Sequence, residues 1–330
     1  MRPELLNLCN NFIQNRDTVK ENFFWSSSNF YPIAAAIFTD KRVTARTEQL
    51  LHCKSILEKE TGIFSSFRDY AKLSVISMMA VDSYPEARLR NGLAVYEKLK
   101  EYFWGSSYLP VAAMIIADMV EPIQYDEMAA RTRRIYELMK AKHPFLTASE
   151  DSVFAAMLAL SPLTDEQVVE ETELCYRLLK PEFFSGDAVQ SLSHVLALCE
   201  GSATEKCKKT MDLFYALKAQ GCKYGTGHEL ATLGVVAMLP AEKEQLVRDI
   251  IDVDNYLQQQ KGYGFWGSIT KRERLMHAAM IVTSDYMEEN STMSTAAISS
   301  TISLVAAQQA AICAAIAASS AAAAANSTNN

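Results

Sequence analysis

The feature that most constrains this chain is an aromatic residue that returns about every 40 residues. The members of the series are Phe24, Phe64, Phe103, Phe145, Phe184, Tyr224 and Phe265, with steps of 39 to 42 residues. A fixed period of this length is typical of proteins built from stacked units that bury their apolar faces against each other. Because each aromatic lies just before an apolar segment, we expect its ring to be a buried wedge at the corner between neighbouring units.

A second series keeps the same period at a different position. Here an aromatic residue closes a charged segment, at Tyr96, Tyr136, Tyr176, Phe214 and Tyr256, with steps of 38 to 42 residues. Two independent markers with one period indicate a tandem unit of about 40 residues.

Each unit reads as two helices. Helix A is nearly apolar throughout, which is typical of a helix surrounded by other helices. The A segments are 31–38, 73–81, 109–119, 153–160, 189–198, 230–239 and 275–282. Helix B is amphipathic: in 125–140, the residues Met128 and Ile135 oppose Arg131 and Arg134. The sequence therefore predicts an all-α protein of about seven helical hairpins of ~40 residues, forming either an α/α solenoid or a closed α/α toroid.

The segments outside the hairpins have their own character. Residues 1–19 mix polar and apolar residues and predict an N-terminal capping helix, 20–289 hold the hairpins, and 290–330 form an uncharged Ala/Ser-rich tail. We expect the tail to pack on the hairpins or on a second copy of the chain. A membrane anchor over 296–325 is less favoured, because alanine supplies most of its apolarity and two glutamines lie at its centre.

Composition excludes several classes of function. The net charge of −7 disfavours a nucleic-acid partner, which needs a basic surface. The seven cysteines include no C-x-x-C pair, which argues against a zinc site and a disulfide framework. Since residues 1–19 contain no continuous apolar segment, no secretory signal is predicted, and we expect reduced thiols in a cytoplasmic protein.

No motif for catalysis, nucleotides, metals or cofactors occurs, so whether the chain is an enzyme stays open. His194 is the most notable candidate residue, because it lies within an apolar A segment close to Gln190, and His277 occupies a related place in the last A segment. Each is either a buried, hydrogen-bonded core histidine or a ligand-binding or acid–base group that faces a central cavity.

A second set of candidates gathers at the corners, near the starts of the A segments, where helix N-termini favour an anionic ligand. These residues are Trp104, His143, Asp151, Lys223, Tyr224, His228 and Trp266. Acidic and polar residues are also ordinary at helix starts, so this pattern alone does not select a ligand.

Three stretches of the sequence are distinctive: 143–149, the segment from Phe183 to Leu198, and 262–266. They resemble a family found mainly in Firmicutes and labelled only a domain of unknown function (number four thousand and three). The resemblance spans nearly the whole chain and implies a cytoplasmic bacterial protein, but it brings no activity, ligand or catalytic residue.

Three functions remain open from the sequence. Stacked hairpins favour a scaffold that binds a protein or peptide, because they present extended surfaces. The alternatives are an α/α-toroid enzyme or small-molecule binder with a cavity near His194, and a membrane-associated protein anchored by 296–325. Self-association through the tail is compatible with each of them.

Overall fold

The structure, a computed structural model, describes residues 1–24, 26–69, 71–103, 108–147, 151–264, 267–289, 307 and 310–319. Over these residues the chain is built from helices and turns, and no strand occurs. The all-α class expected from the sequence is therefore confirmed. Two short 3₁₀ turns, Ser66–Arg68 and Pro122–Gln124, precede α-helices.

The helices alternate between two kinds. The apolar kind comprises α2 (Phe30–Asp40), α4 (Lys72–Ala80), α6 (Leu109–Met119), α8 (Ser152–Leu158), α10 (Gly186–Leu198), α12 (Leu230–Ala237) and α14 (Lys271–Glu289), of which α14 is apolar chiefly over 275–282 and begins with charged residues. The amphipathic kind comprises α1 (Pro3–Asn22), α3 (Thr47–Glu60), α5 (Pro85–Lys100), α7 (Tyr125–Lys142), α9 (Asp165–Leu179), α11 (Ala203–Ala219) and α13 (Lys243–Gln258). We call the first kind A helices and the second kind B helices.

Burial explains the difference in composition. All residues of α8 and α12 are buried, whereas α7 buries one stripe that includes Met128 and Ile135. A helix enclosed on all sides must be apolar around its circumference, and a helix at the surface needs only one apolar face.

The chain forms two compact units by its internal contacts. Unit 1 comprises Met1–Gln14 and Glu170–Ala314, and unit 2 comprises Asn15–Val169 and Ala315–Asn330. In unit 2, the A helices pack in chain order, α2 on α4, α4 on α6 and α6 on α8. In unit 1, α10 packs on α12 and α12 on α14. Open solenoid or closed toroid stays a prediction.

The first residues of the chain are fixed within unit 1 by charged and polar groups. The Arg2 guanidinium pairs with Asp285 at 2.6 Å and with Asp249 at 3.2 Å. The Tyr256 hydroxyl donates to Asn10 Oδ1 at 2.6 Å. These contacts attach the start of α1 to α13 and α14.

Several helices begin at side-chain caps. The Ser185 hydroxyl accepts a hydrogen bond from the Ala188 N–H at the start of α10, and Ser202 and Glu205 form a reciprocal capping box on α11. Such caps satisfy the free N–H groups of the first turn and are each worth ~1 kcal/mol.

Arginines of α7 fix the loop that connects α8 to α9. Arg131 Nε lies 2.8 Å from Asp165 Oδ1, and Arg134 Nε lies 2.7 Å from Asp165 Oδ2. Arg131 Nη1 also donates to the carbonyls of Ala159 and Ser161, each at 2.9 Å. Arg131 and Arg134, which the helical pattern places on the solvent-facing side of α7, thus stabilise the next loop.

The prediction that each corner aromatic is a buried wedge is wrong for four members of the series. Phe24, Phe64, Phe145 and Phe184 are all exposed, whereas Phe103 and Tyr224 are buried as expected, and Phe265 lies outside the described residues. The period locates the loop, but loop residues have no fixed side-chain direction, so spacing alone could not select which ring turns inward.

The rings that do pack at these corners are partly different residues. Each contacts an aromatic of the second series near the end of the next B helix, in an edge-to-face arrangement. The pairs are Phe67 with Tyr96 (centroids 5.0 Å apart), Phe103 with Tyr136 (5.4 Å) and Phe183 with Phe214 (5.2 Å). Such pairs contribute ~0.5–1.5 kcal/mol beyond the area they bury. Aromatics of the second series therefore pack at these corners, and in Phe103–Tyr136 the partner belongs to the first series.

The described part of the tail is a buried helix. Residues 310–319 are helical, and all of 310–316 are buried. Successive residues of an α-helix are directed about 100° apart, so seven consecutive buried residues mean that this segment is buried on every side. Most of 296–325, the predicted anchor, lies outside the described residues. Among the helices that the structure describes, none combines the length and apolarity needed to cross a bilayer.

Candidate functional site

The most prominent surface feature of unit 2 is a group of apolar side chains in the loops that lead into A helices. Phe64 is 95% exposed and Phe145 is 99% exposed, and Phe24 and Ile63 are also mostly exposed. We call these four residues the loop edge. In unit 1, Phe184 occupies the same kind of loop and is 100% exposed.

Local packing explains why these rings point outward. In the doublet Phe183–Phe184, the first ring is buried against Phe214, which leaves the second ring directed to solvent. In the loop before α4, Phe67 fills the interior three residues after the exposed Phe64. In the loops before α2, α4 and α10, a second aromatic nearby is buried, at Phe23, Phe67 and Phe183 respectively, whereas the loop that holds Phe145 contains no second aromatic.

Lysines lie close in the sequence to two residues of the loop edge, Phe64 and Phe145. Each B helix of unit 2 ends in basic residues, and the exposed ones include Lys59, Lys100, Lys140 and Lys142. Lys100 Nζ lies 5.5 Å from the Tyr96 ring centroid. Cations at helix C-termini also interact favourably with the helix dipole, so part of this pattern serves the helices themselves.

His277 is held by its neighbours in the core of unit 1. Its Nδ1 lies 3.0 Å from the Tyr263 hydroxyl, and the two rings meet edge to face. The Phe12 ring lies 6.3 Å away. These contacts fit a structural histidine in α14.

His194 and Gln190 lie one turn apart on α10, and both are buried. α12 packs against both α10 and α14, so it lies between the helices that carry His194 and His277. Their role as a ligand-binding pair stays a prediction.

The corner candidates divide between the two units. In unit 2, His143 is half-buried at the end of α7, and Asp151 is buried immediately before α8. In unit 1, Lys223 is exposed and His228 is half-buried. Trp104 and Trp266 lie outside the described residues.

Tyr224 belongs to a closed polar network at the start of α12. Its hydroxyl lies 2.6 Å from Thr232 Oγ1, and that hydroxyl donates to the Glu229 carbonyl at 2.7 Å. The Gly227 N–H donates to the buried Glu229 carboxylate at 3.0 Å. A Cβ at Gly225 would lie 2.3 Å from Glu229 Cδ, so any other residue there would displace the Glu229 carboxylate. Burial raises the pKa of Tyr224. These hydrogen bonds indicate that Tyr224 stabilises the loop before α12 rather than binding a ligand.

Two pairs of side chains were not predicted from the sequence. Arg274 and Asp254 form a buried bidentate ion pair, with Nε–Oδ1 2.7 Å and Nη2–Oδ2 3.1 Å. Cys175 and Cys207 adjoin each other although 32 residues separate them in the sequence. Neither pair has a local motif, because each forms between helices.

A surface cavity of about 840 Å³ lies between α11 and the loop before α13. Its lining includes Lys209, Asp212, Glu242 and Lys243, and it includes none of the residues predicted as ligand-binding. Across the part of the chain that the structure describes, no cluster of His, Cys, Asp and Glu could hold a metal ion.

Comparisons with known proteins agree with the family resemblance. A family model described as "Protein of unknown function (DUF4003)" matches residues 15–310. The chain is also similar to "Uncharacterized protein YeaA" of Bacillus subtilis (strain 168), with 23% identity over 268 residues, which cover 80% of this chain and 79% of that protein. No solved structure matches the chain. The resemblance predicted from the sequence is therefore confirmed.

Proposed function

We propose that this chain, which belongs to the family described as a protein of unknown function (DUF4003), is a helical-repeat scaffold that binds a protein or peptide partner at the loop edge. The single observation that carries the proposal is the nearly complete exposure of Phe64 and Phe145 at equivalent positions of different hairpins.

The loop-edge residues are expected to lie along one side of unit 2. Each A helix follows a B helix, and the A helices pack on each other in chain order. The loops from B to A helices therefore recur at the same end of successive hairpins, which makes Phe24, Phe64 and Phe145 a row.

Energetics favours a binding role for this row. Burying a phenylalanine side chain is worth ~1.5–3 kcal/mol, and a fully exposed ring forgoes that stabilisation. Single exposed apolar residues are ordinary on protein surfaces, but exposed rings that recur at one edge are typical of interaction sites, and here they recur in three of four loops because Phe103, before α6, is buried. Aromatic residues are also enriched among the side chains that dominate binding energy.

Charge selects the chemistry of the partner. The exposed Lys59, Lys140 and Lys142 lie at B-helix ends, within five residues of Phe64 or Phe145 in the sequence, and Lys59 also pairs with Glu60. We therefore expect a peptide segment with apolar anchors flanked by acidic residues, because such charges steer association with a basic rim. The seven thiols of the chain itself are buried and form no disulfide bonds, which supports the cytoplasm as the proposed place of action.

The test uses synthetic peptides with Leu or Phe anchors, flanked by Glu in one set and by Lys in the other. Binding to the full chain is measured by fluorescence polarisation. The Glu-flanked set should bind, and the variant with both Phe64→Ser and Phe145→Ser should lose about thirtyfold in affinity, the effect of a hot spot worth ~2 kcal/mol.

Ile123→Ser provides the matched control. Ile123 is 91% exposed in unit 2, but it lies in the turn between α6 and α7, at the other end of the hairpins. Equal loss of binding in both variants, or no loss in either, would contradict the proposal. A chain that dimerises, with the dimer abolished by the phenylalanine substitutions, would assign the row to self-association instead.

A further inference from the structure

The cysteines of unit 1 include a pair that the proposed scaffold function does not use. Cys175 lies in α9 and Cys207 in α11, and both are buried. The Cys207 thiol donates to the Cys175 carbonyl at 3.8 Å. This contact places the Cys207 sulfur directly beside Cys175.

A buried cation lies beside this pair. Lys206 is 2% exposed, and its ammonium is 2.8 Å from Glu171 Oε1 and 3.0 Å from the Cys199 carbonyl oxygen. The ammonium thus caps the C-terminal end of α10, and its positive charge acts to lower the pKa of three thiols, Cys175, Cys199 and Cys207.

The seven thiols of the chain differ in acidity. Hydrogen bonding from Cys175, assisted by the charge of Lys206, lowers the pKa of Cys207. The pKa of each of the other six thiols is raised. The main cause is burial, except at Cys175, where it is hydrogen bonding with Cys207. The thiolate is the nucleophilic form of cysteine, so Cys207 is set apart from the structural thiols.

We propose that Cys175 and Cys207 are a redox-active dithiol that a hydroperoxide converts to an intramolecular disulfide joining α9 to α11. The geometric basis is the contact between the two residues across neighbouring B helices, with Lys206 beside them. A hydroperoxide is the fitting oxidant because it is small, and Cys207 is 5% exposed.

The chemistry takes two steps. The Cys207 thiolate attacks one peroxide oxygen, the O–O bond breaks, and the departing hydroxide takes a proton to become water, which leaves a sulfenic acid on Cys207. The Cys175 sulfur, having lost its proton, then attacks the Cys207 sulfur. An S–S bond forms, the S–O bond breaks, and a second water leaves. Two thiols are oxidised by one peroxide, and a cellular dithiol reductant reverses the reaction by exchange.

Cys199 sharpens the proposal because it is a third thiol beside the same ammonium. Its hydrogen bond runs to the carbonyl of Val195 in its own helix, at 3.4 Å. No described cluster fits a metal ion, so the three thiols do not form a zinc site within the described residues. Cys199 therefore serves as the matched control.

The experiment treats the reduced, folded full chain with hydrogen peroxide, stops the reaction with catalase, denatures the protein and labels the remaining thiols with a maleimide. Peptide mass spectrometry then locates the oxidised residues. The expected product lacks two of the seven thiols and yields a linked peptide pair that contains Cys175 and Cys207, which dithiothreitol separates.

Variants divide the outcomes. Cys199→Ala should leave the linked pair unchanged, whereas Cys175→Ala should abolish it and leave a Cys207 sulfenic acid that dimedone traps. Circular dichroism checks that each variant is folded, and the wild-type mapping decides the question without any variant. A wild-type product linked through Cys199, or thiol loss spread over all seven cysteines, would overturn the proposal. Oxidation that begins only in urea would overturn it as well.

Discussion

The corner doublet Phe183–Phe184 offers a direct test of how these hairpins pack. The two residues are chemically identical neighbours, yet Phe183 is 3% exposed and Phe184 is 100% exposed. We predict that Phe183→Ala strongly destabilises the chain and that Phe184→Ala leaves its free energy of unfolding nearly unchanged.

The magnitude follows from what each ring contacts. Truncating a buried phenylalanine costs ~3–5 kcal/mol, including the cavity that remains. The edge-to-face contact of Phe183 with Phe214, at 5.2 Å and 85°, is lost within that total. Phe184 has no buried area to lose, so we expect a change within ~0.5 kcal/mol. The two variants should therefore differ by at least ~2.5 kcal/mol.

Urea unfolding followed by far-ultraviolet circular dichroism, which reports helix content, measures the difference in stability between the two variants. With a urea m-value of ~3 kcal/mol/M, the two midpoints should lie about 1 M apart. If Phe184→Ala had the lower midpoint, the packed ring would be Phe184, as the sequence spacing indicated, and our account of the corner would be wrong.

The remaining predictions concern an acid group and a tight loop. Burial alone would raise the pKa of Asp165, but hydrogen bonds and charge from Arg134 and Arg131 lower it below its usual value. The ionised Asp165 therefore stabilises the fold fully above the unfolded-state pKa of ~3.9. This stabilisation is lost as the pH falls through the lower pKa of the folded state. Asp165→Asn should therefore flatten the acid side of a plot of urea midpoint against pH, and an unchanged slope would contradict this. Gly225→Ala should cost ~1–3 kcal/mol, because the new methyl group meets the buried Glu229 carboxylate at 2.3 Å. Gly62→Ala, where a Cβ meets nothing within 4 Å, is the control and should shift the thermal midpoint little or slightly upward.

Much of the secondary structure was predictable from the residues. The apolar segments predicted at 109–119 and 189–198 correspond to α6, Leu109–Met119, and α10, Gly186–Leu198. The amphipathic segment at 125–140 corresponds to α7, Tyr125–Lys142. These predictions succeed because the burial of a helix is written in how many of its faces are apolar, and that pattern is local in the sequence.

The candidate site was less accessible to sequence reasoning. The aromatic period identified the right loops, but it assigned Phe64 and Phe145 to the interior, whereas they are exposed. For Phe64 and Phe184, the signal that could have helped is a second aromatic nearby, Phe67 or Phe183, whereas the loop of Phe145 carries no such signal. Cys175 and Cys207 carried no signal, because their contact joins helices of different hairpins.

The sequence by itself determined that the chain is helical, which helices are enclosed and which face water, and where the loops between them lie. These properties follow from the spacing of apolar residues along each segment. Only the tertiary structure decided which ring of each loop is packed, that His277 is bonded to Tyr263, and that residues 310–316 of the tail are buried. Such choices depend on the residues that neighbouring helices present, and these are distant in the sequence.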